Sequence, residues 1–196
     1  MADGSEPRVG DQRPGGRAAR VRDAVLAATT ELLDEGGYDA VTYEELARRA
    51  GVHKTTVYRR WPSRAELVAD ALDLHSEEAI PIPDSGSFVG DLRLLAHAVA
   101  ANISSEAGAR RSTSIVAAAI ADADVADTVR RFMSRRIAIA QPIVERAIAR
   151  GEIGDAADPH IVIESLVGPI WFRLLLTGEP LDPPFLDALA DAVASR

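Results

Sequence analysis

The chain has 196 residues, 47% of them hydrophobic, and a formal net charge of −8, which is typical of a soluble globular protein that can bury a real core. It contains no cysteine, which excludes disulfides, thiolate metal ligands and cysteine nucleophiles. No window approaches the apolar length of a membrane span and the N-terminus lacks the apolar core of a secretory signal, so we expect no membrane partner and a cytoplasmic location.

Helical periodicity begins after a segment that has none. Residues 1–16 are rich in glycine, proline and charged residues, which predicts a disordered tail. Apolar residues then recur three or four positions apart over residues 17–35, and the glycine pair at 36–37 predicts the end of this helix. A first long helix is therefore expected at the start of the folded region.

The next forty or so residues contain start and stop signals for three further helices. Thr42-Tyr-Glu-Glu45 is a capping box that predicts a short helix. A second short helix is predicted over residues 54–60, because the residue before Pro62 disfavours helical geometry. Ser63-Arg-Ala-Glu66 is another capping box and predicts a longer helix that runs to about residue 79.

The rest of the chain is also helical in pattern, after a proline-rich linker at residues 80–86. Further helices are predicted over residues 88–105, 109–121, 125–150, 159–177 and 183–194. Pro142 is expected to kink the third of these, and Pro169 to bend the fourth. We find no strand-like alternation and no internal repeat, so we predict an all-α fold of about nine helices, three short and early and six longer and late.

Positive charge is concentrated in one short segment of this acidic chain. Residues 1–64 hold 11 basic and 10 acidic side chains, whereas residues 65–196 hold 11 basic and 20 acidic ones. From Arg48 to Arg64 there are six basic side chains and no acidic one. Because salt screens charges beyond about 10 Å, the acidic remainder does not prevent this patch from attracting phosphate.

Two short helices joined by a glycine turn, the second of them basic, indicate a helix-turn-helix. Val57 is expected to face inward, and Trp61 to pack against the first long helix. The outward residues carry hydroxyls, a phenol and cations, which are the groups that bond phosphate oxygens and base edges. These residues are Lys54, Thr55, Thr56, Tyr58 and Arg59. A solvated basic face without a DNA partner is the alternative interpretation.

Residues 20–68 resemble the DNA-binding domain of the TetR (tetracycline-repressor) family. The matching stretch is AATTELLDEGGYDAVTYEELARRAGVHKTTVYRRWPSRAELV, with the skeleton Gly51-Val52-x-Lys54-x-Thr56-x-Tyr58-x-x-Trp61-Pro62-Ser63-Arg64-x-x-Leu67. The resemblance implies a three-helix DNA-binding domain over residues 17–62 and an effector-binding and dimerisation domain over residues 63–196, with helix 63–79 connecting them. It also implies a homodimer that binds a palindromic double-stranded DNA operator and a small-molecule effector.

By the same resemblance, several side chains are DNA contacts. The implied phosphate contacts are Thr42, Tyr43, Lys54, Thr56, Tyr58 and Arg64, and the base-reading candidates are Thr55 and Arg59. His53 stands at an N-cap where the family commonly has serine, and it either caps the helix poorly or touches a phosphate itself. Trp61 replaces the usual phenylalanine, a tolerable aromatic exchange.

The C-terminal two-thirds carries weaker signals. The segment GPIWFRLLLTGEPLD and the order of helices resemble one subgroup of the family, and in the family the last two helices pair across the dimer. The implied interface is Ile161, Leu166, Ile170, Trp171, Leu174 and Leu175, with an ordinary intrachain core as the alternative. Candidate walls of an effector pocket are Leu72, His75, Leu95, His97, Val99, Phe132 and Trp171, each of which is alternatively plain core.

Signals for other chemistry are weak. His160-x-x-x-Glu164 places two potential metal ligands on one helix face, but an ion pair near the helix start explains them better. The Arg130-Arg131 and Arg135-Arg136 doublets are expected to be solvated. Four scattered histidines without a cysteine supply no catalytic set, so we expect no enzyme, no metal and no cofactor. A ligand-responsive repressor is the leading hypothesis, and a dimeric scaffold with an inactive helix-turn-helix is the alternative.

Overall fold

The computed structural model describes residues 16–195, and helices occupy most of this range. The α-helices are α1 (Gly16–Gly36), α2 (Tyr43–Ala50), α3 (Lys54–Arg60), α4 (Arg64–Ala79), α5 (Phe88–Ser104), α6 (Glu106–Ala121), α7 (Ala123–Ala149), α8 (Pro159–Phe172) and α9 (Pro183–Ala194). A 3-10 turn at Tyr38–Ala40 follows α1, and a π-helical turn at Arg173–Thr177 extends α8. No β-strand occurs within the described range, and the predicted all-α fold is confirmed. The predicted tail lies outside the described residues except for Gly16, which begins α1.

Local chemistry explains where the short N-terminal helices begin. The hydroxyl of Thr42 accepts a hydrogen bond from the backbone N–H of Glu45 at 3.3 Å, and that of Ser63 accepts one from Glu66 at 3.4 Å. Both predicted N-caps therefore form. The reciprocal half of the first capping box does not form, because the Glu45 carboxylate pairs with two arginines of its own helix instead.

The helices enclose two hydrophobic cores. The N-terminal core is built by α1 to α4 and also receives Ile115 from α6 and Val125 from α7. Val57 is fully buried in this core and Trp61 is 4% exposed. This burial anchors α3, since a helix of seven residues is not stable alone. The C-terminal core combines residues of α5, α7, α8 and α9.

Helix α6 fastens the N-terminal helices to the rest of the chain. The Ser114 hydroxyl accepts from the backbone N–H of Tyr38 at 3.0 Å. Gly37 has a φ of 73°, and a Cβ placed there would lie 2.7 Å from the Cβ of Ser114, so only glycine fits this approach. The guanidinium of Arg111, 4% exposed, pairs with the Asp34 carboxylate on α1. Helix α1 and the 3-10 turn after it are therefore braced by α6, and α1 also by α4.

The linker between α4 and α5 is held against α7. Arg146 of α7 donates to the Pro83 carbonyl at 2.5 Å, and the Ser85 N–H donates to the buried Asp91 carboxylate at 2.6 Å. These bonds anchor the chain directly after the C-terminal end of α4. The proline-rich sequence is thus an ordered strap.

Two helices continue past an internal proline. α7 runs through Pro142 to its end at Ala149, and α8 runs past Pro169 before widening into the π-helical turn. In that turn the Gly178 N–H donates to the Arg173 carbonyl at 2.8 Å. The turn brings an apolar segment to the surface, where Leu176 is 74% exposed.

Candidate nucleic-acid interface and ligand cavity

Helix α3 has one buried side and one open side. Val57 is its buried residue. Its exposed residues are Lys54, Thr55, Tyr58, Arg59 and Arg60, and Thr56 is half-buried. His53 is exposed at the N-cap and makes no side-chain cap bond, so the helix starts without the hydroxyl cap that serine would supply. The predicted outward face is open to a partner, and its contact with DNA stays a prediction.

Tyr43 is tied to the end of α3 by its hydroxyl. The Tyr43 O–H donates to the Trp61 carbonyl at 2.8 Å, and its ring lies edge-on to Tyr58 with 5.5 Å between ring centroids. Burial, followed by the neighbouring Tyr58 hydroxyl, raises the pKa of Tyr43. Tyr43 can donate to a phosphate only by giving up this bond, whereas Tyr58 is 56% exposed and unencumbered. Both tyrosines are predicted phosphate contacts, and of the two the geometry favours Tyr58.

Half of the basic patch is neutralised by carboxylates of α1 and α2. Glu45 pairs with Arg48 and Arg49, and Glu44 pairs with Lys54 across the turn. The hydrogen bonds from Arg48 and then Arg49 hold the pKa of Glu45 at about 2, so this carboxylate is ionised at neutral pH. A count of basic residues along the sequence therefore overstates the free positive charge.

The remaining cations of the patch have no carboxylate partner among the residues that the structure describes. They are Arg59, Arg60 and Arg64. The Arg60 guanidinium lies 5.1 Å from the centre of the Trp61 ring, and that of Arg64 lies 4.2 Å from the Tyr38 ring. These free cations cluster where α3 ends and α4 begins, beside the exposed Tyr58.

A cavity of about 520 Å³ lies among α4 to α8. Six of the seven predicted pocket residues line it: Leu72, His75, Leu95, Val99, Phe132 and Trp171. The prediction is wrong for His97, whose Nε2 lies 2.8 Å from Asp187 Oδ1 on α9, away from the cavity. This volume is in the usual range for small-molecule sites.

Two polar side chains that the sequence did not single out, Asn102 and Arg111, meet the predicted wall residue His75 at one part of this cavity. His75 Nε2 lies 2.8 Å from Asn102 Oδ1, and Arg111 donates to that oxygen at 3.2 Å. Arg111 continues the connection to Asp34 on α1. Helical spacing could have predicted that Arg111 is buried, since it stands four residues before the buried Ile115 on the same face of α6. A hydrogen-bonded path therefore links the cavity wall to the N-terminal helices.

Arg136 also lines the cavity, against the expectation of a solvated doublet. Desolvation by burial lowers the pKa of Arg136, and Asp73 and Glu77 of α4 oppose this effect. The residue stands four positions after Phe132 and four before Ala140, both of which are buried. The expectation is wrong for Arg136, because the helix face that it shares with Phe132 and Ala140 borders the cavity. Arg130, Arg131 and Arg135 are exposed.

The predicted interface residues on α8 and the π-helical turn after it fall into three groups. Leu166 and Ile170 are fully buried in the C-terminal core, so the interface prediction is wrong for them and the intrachain alternative holds. Trp171 and Leu174 are partly buried against the same core. Ile161 is 58% exposed and Leu175 38% exposed. Phe172, 54% exposed, and Leu176 are exposed apolar residues that the prediction missed.

The segment Pro159–Thr177 is long and apolar enough to cross a membrane by length and composition, with 17% of it buried within the chain. The expectation that no window approaches a span is therefore wrong for this segment. Two charged residues, Glu164 and Arg173, interrupt it, and part of it packs in the core. It is a helix of the folded domain with a wide uncovered apolar side.

The two residues on α8 that resembled a metal site lie close to each other, one helical turn apart. His160 Nδ1 lies 3.5 Å from Glu164 Oε1. Within residues 16–195 no group of three histidine, cysteine or carboxylate side chains could hold a metal ion. The interpretation of these two residues as a helix-start ion pair agrees with this geometry.

A three-helix unit whose third helix, α3, presents an exposed cationic face, joined to a larger helical body, defines a helix-turn-helix transcriptional regulator. The chain belongs to the TetR family. Residues 25–71 match the family model described as bacterial regulatory proteins of the tetR family, and residues 82–193 match that of the tetracyclin repressor-like C-terminal domain. The predicted family is confirmed, and the chain is a transcriptional regulator, not an enzyme.

Several relatives resemble the chain over most of its length. An HTH-type transcriptional regulator of Bacillus subtilis, YdeS, is 34% identical over 83% of this chain and 82% of its own length. The HTH-type transcriptional regulator AqdR of Rhodococcus erythropolis is 34% identical over 84% of this chain and 79% of its own. The crystal structure of the TetR family transcription regulator SCO0332 superimposes with a TM-score of 0.80 and 33% identity, covering 90% of this chain and 97% of that one.

Proposed function

We propose that the protein is a ligand-responsive repressor that binds palindromic operator DNA as a homodimer and releases it when a small molecule occupies the cavity. The observation that carries this proposal is that α4 reaches both sites. Arg64, at the start of α4, is one of the free cations of the patch, while Leu72 and His75 of the same helix line the cavity. The protein is expected to act in the cytoplasm, with the DNA.

The open face of α3 supports DNA contact. Tyr58 and Arg59 project from it with no carboxylate partner in the described residues, so both are available to phosphates or bases. In a scaffold with an inactive helix-turn-helix, nothing would require these side chains to stay free of carboxylate partners. One helix of seven residues contacts only a few base pairs, so specificity requires two copies, with half-sites one helical turn (roughly 34–36 Å) or a multiple apart.

The uncovered side of α8 supports the dimer. Only 17% of Pro159–Thr177 is buried within one chain, although the segment is strongly apolar. Ile161, Phe172 and Leu176 leave more than half of their surface in solvent. A second copy that covers this side removes apolar area from water on both subunits at once.

Two routes support the coupling between cavity and DNA-binding helices. The first is α4 itself, a single helix of 16 residues. The second is the hydrogen-bonded path from His75 through Asn102 and Arg111 to Asp34 on α1. The strap after α4 is pinned to α7, so a ligand that displaces α4 is expected to move its N-terminal end more freely than its C-terminal one.

We expect Tyr58→Ala to weaken binding to all duplexes alike, because it removes a phosphate contact. Arg59→Ala should in addition relax the preference at one base position by roughly 1–3 kcal/mol. Fluorescence anisotropy with an operator selected from random duplexes, at several salt concentrations, measures both effects. Val89→Ala, on α5 far along the chain from α3, serves as the control and should match wild type. Salt-independent binding, or two α3 variants that match wild type, would contradict the assignment of α3.

We expect operator and ligand to weaken each other's binding by the same factor, typically about 5–150-fold, because coupling free energy is reciprocal. A library of small molecules is first screened for release of the operator. The affinity of a releasing compound is then measured by calorimetry with and without saturating operator. Equal affinities in the two measurements would show that the cavity ligand does not control DNA binding.

A further inference from the structure

The cavity is apolar over most of its wall, and few charged groups reach it. Its aliphatic and aromatic lining includes Leu72, Ile103, Ile115, Phe132 and Trp171. The charged residues on the wall are Arg111, Arg136 and Glu164. An ionised group in such surroundings is stable only with an opposite charge or several hydrogen bonds, so the partners of these three residues restrict what can bind.

Two of the three charged groups already have partners. Arg111 is 4% exposed, pairs with Asp34 and donates to both the carbonyl and the side-chain oxygen of Asn102. Glu164 leaves 57% of its side chain in solvent and pairs with His160. Neither Arg111 nor Glu164 therefore requires a charged group of a ligand as its partner.

Arg136, the third charged residue on the wall, differs from the other two in its partners. In the described part of the chain its one hydrogen bond is from Nη2 to the Ile80 carbonyl, at a long 3.4 Å, and it forms no ion pair. Asp73 and Glu77 are near enough to attract it, but Asp73 is paired with Arg135. A half-buried guanidinium has five N–H donors in a planar fork, and here most of them are free.

We propose that the effector is an amphipathic carboxylate, with an apolar body against the cavity wall and its single carboxylate on Arg136. This inference rests on the proposed ligand response and specifies the ligand's class. A neutral ligand would leave the guanidinium without an ion pair, attracted only by Glu77 and by the already paired Asp73, and a cation would be repelled by it. The carboxylate matches the guanidinium fork with two parallel hydrogen bonds. Ser76 and Ser112 add uncharged hydroxyl groups to the same wall.

The test uses three probes with one apolar body and different head groups: phenylhexanoate, phenylhexanol and phenylhexylamine. Each is titrated into the full-length protein without DNA, by calorimetry. We expect the carboxylate to bind about tenfold to a hundredfold more tightly than the alcohol, as a charge-assisted hydrogen-bonded pair does, and the amine to bind most weakly. Arg136→Gln should bring the carboxylate to the affinity of the alcohol and leave the alcohol unchanged. Arg131→Gln, an exposed arginine of the same helix that does not line the cavity, should retain the wild-type order.

A carboxylate that binds wild type no more tightly than the alcohol overturns the inference, whatever the variants do. So does an Arg136→Gln variant that keeps the preference for the carboxylate. If the carboxylate binds as expected but never releases the operator, the ligand class stands and the proposed ligand response fails. If all three probes bind with equal affinity and the alcohol alone releases operator, the ligand response stands and the carboxylate class fails.

Discussion

Replacing Phe172 with aspartate is expected to convert the proposed dimer to monomers and to abolish operator binding. Phe172 is 54% exposed on the uncovered side of α8 and does not line the cavity. In a two-fold interface the substitution places one unpaired charge from each subunit in an apolar contact, at about 3–5 kcal/mol per charge. A monomer carries one recognition helix and therefore loses most of its operator affinity. Light scattering measures the mass, and anisotropy measures operator binding.

Ile120→Asp is the matched control for this experiment. Ile120 is 84% exposed at the end of α6, so it offers the same chemical change at an apolar surface residue outside α8. This variant should remain dimeric and bind the operator as wild type does. A folded Phe172→Asp protein that remains dimeric would move the interface away from α8. Leu175 is less suitable for substitution, because it lines the cavity as well as reaching the surface.

Replacing Arg111 with methionine is expected to lower the free energy of unfolding by about 3 kcal/mol. The substitution keeps much of the aliphatic stem but leaves the Asp34 carboxylate without its partner, and removes the hydrogen bonds that Arg111 donates to Asn102. Breaking a buried pair costs about 3–5 kcal/mol, and the lower end applies because 30% of the Asp34 side chain stays in solvent. Urea unfolding followed by circular dichroism measures the change.

Arg130→Met is the control, because it removes an exposed arginine that is paired within its own helix, α7. The Arg130 side chain is 67% exposed and pairs with the exposed Asp127. Exposed ion pairs contribute little, so this variant should stay within about 0.5 kcal/mol of wild type. Equal stability of the two variants would show that the Arg111–Asp34 pair does not brace α1 against α6. It would also remove the polar path as a route of coupling.

Some features of this site followed from local sequence signals. Hydroxyl caps, glycine stops and prolines act within a few residues of one another, so the boundaries of α2, α3 and α4 were readable without knowledge of the fold. The inward orientation of Val57 followed from helical spacing. The skeleton around Tyr58 and Trp61 identified the family.

Other features depended on contacts between residues far apart in the chain. The free charge of the basic patch depended on Glu44, which pairs with Lys54 across the turn, and on Glu35 of α1, which pairs with Arg49. The Tyr43 hydroxyl was already engaged by a carbonyl 18 residues away. Charge counts along a sequence contain no information about such partners.

By itself, the sequence determined the helices, the recognition helix and the family, because caps, breakers and periodicity are local physical signals. The tertiary structure alone decided which apolar faces are covered. Periodicity marked the apolar face of α8, but only packing showed that Ile170 lies in the core while Phe172 lies in solvent. In the same way, only packing turned Arg136 toward a cavity, because the side of a helix that is buried depends on the neighbours that the fold brings to it.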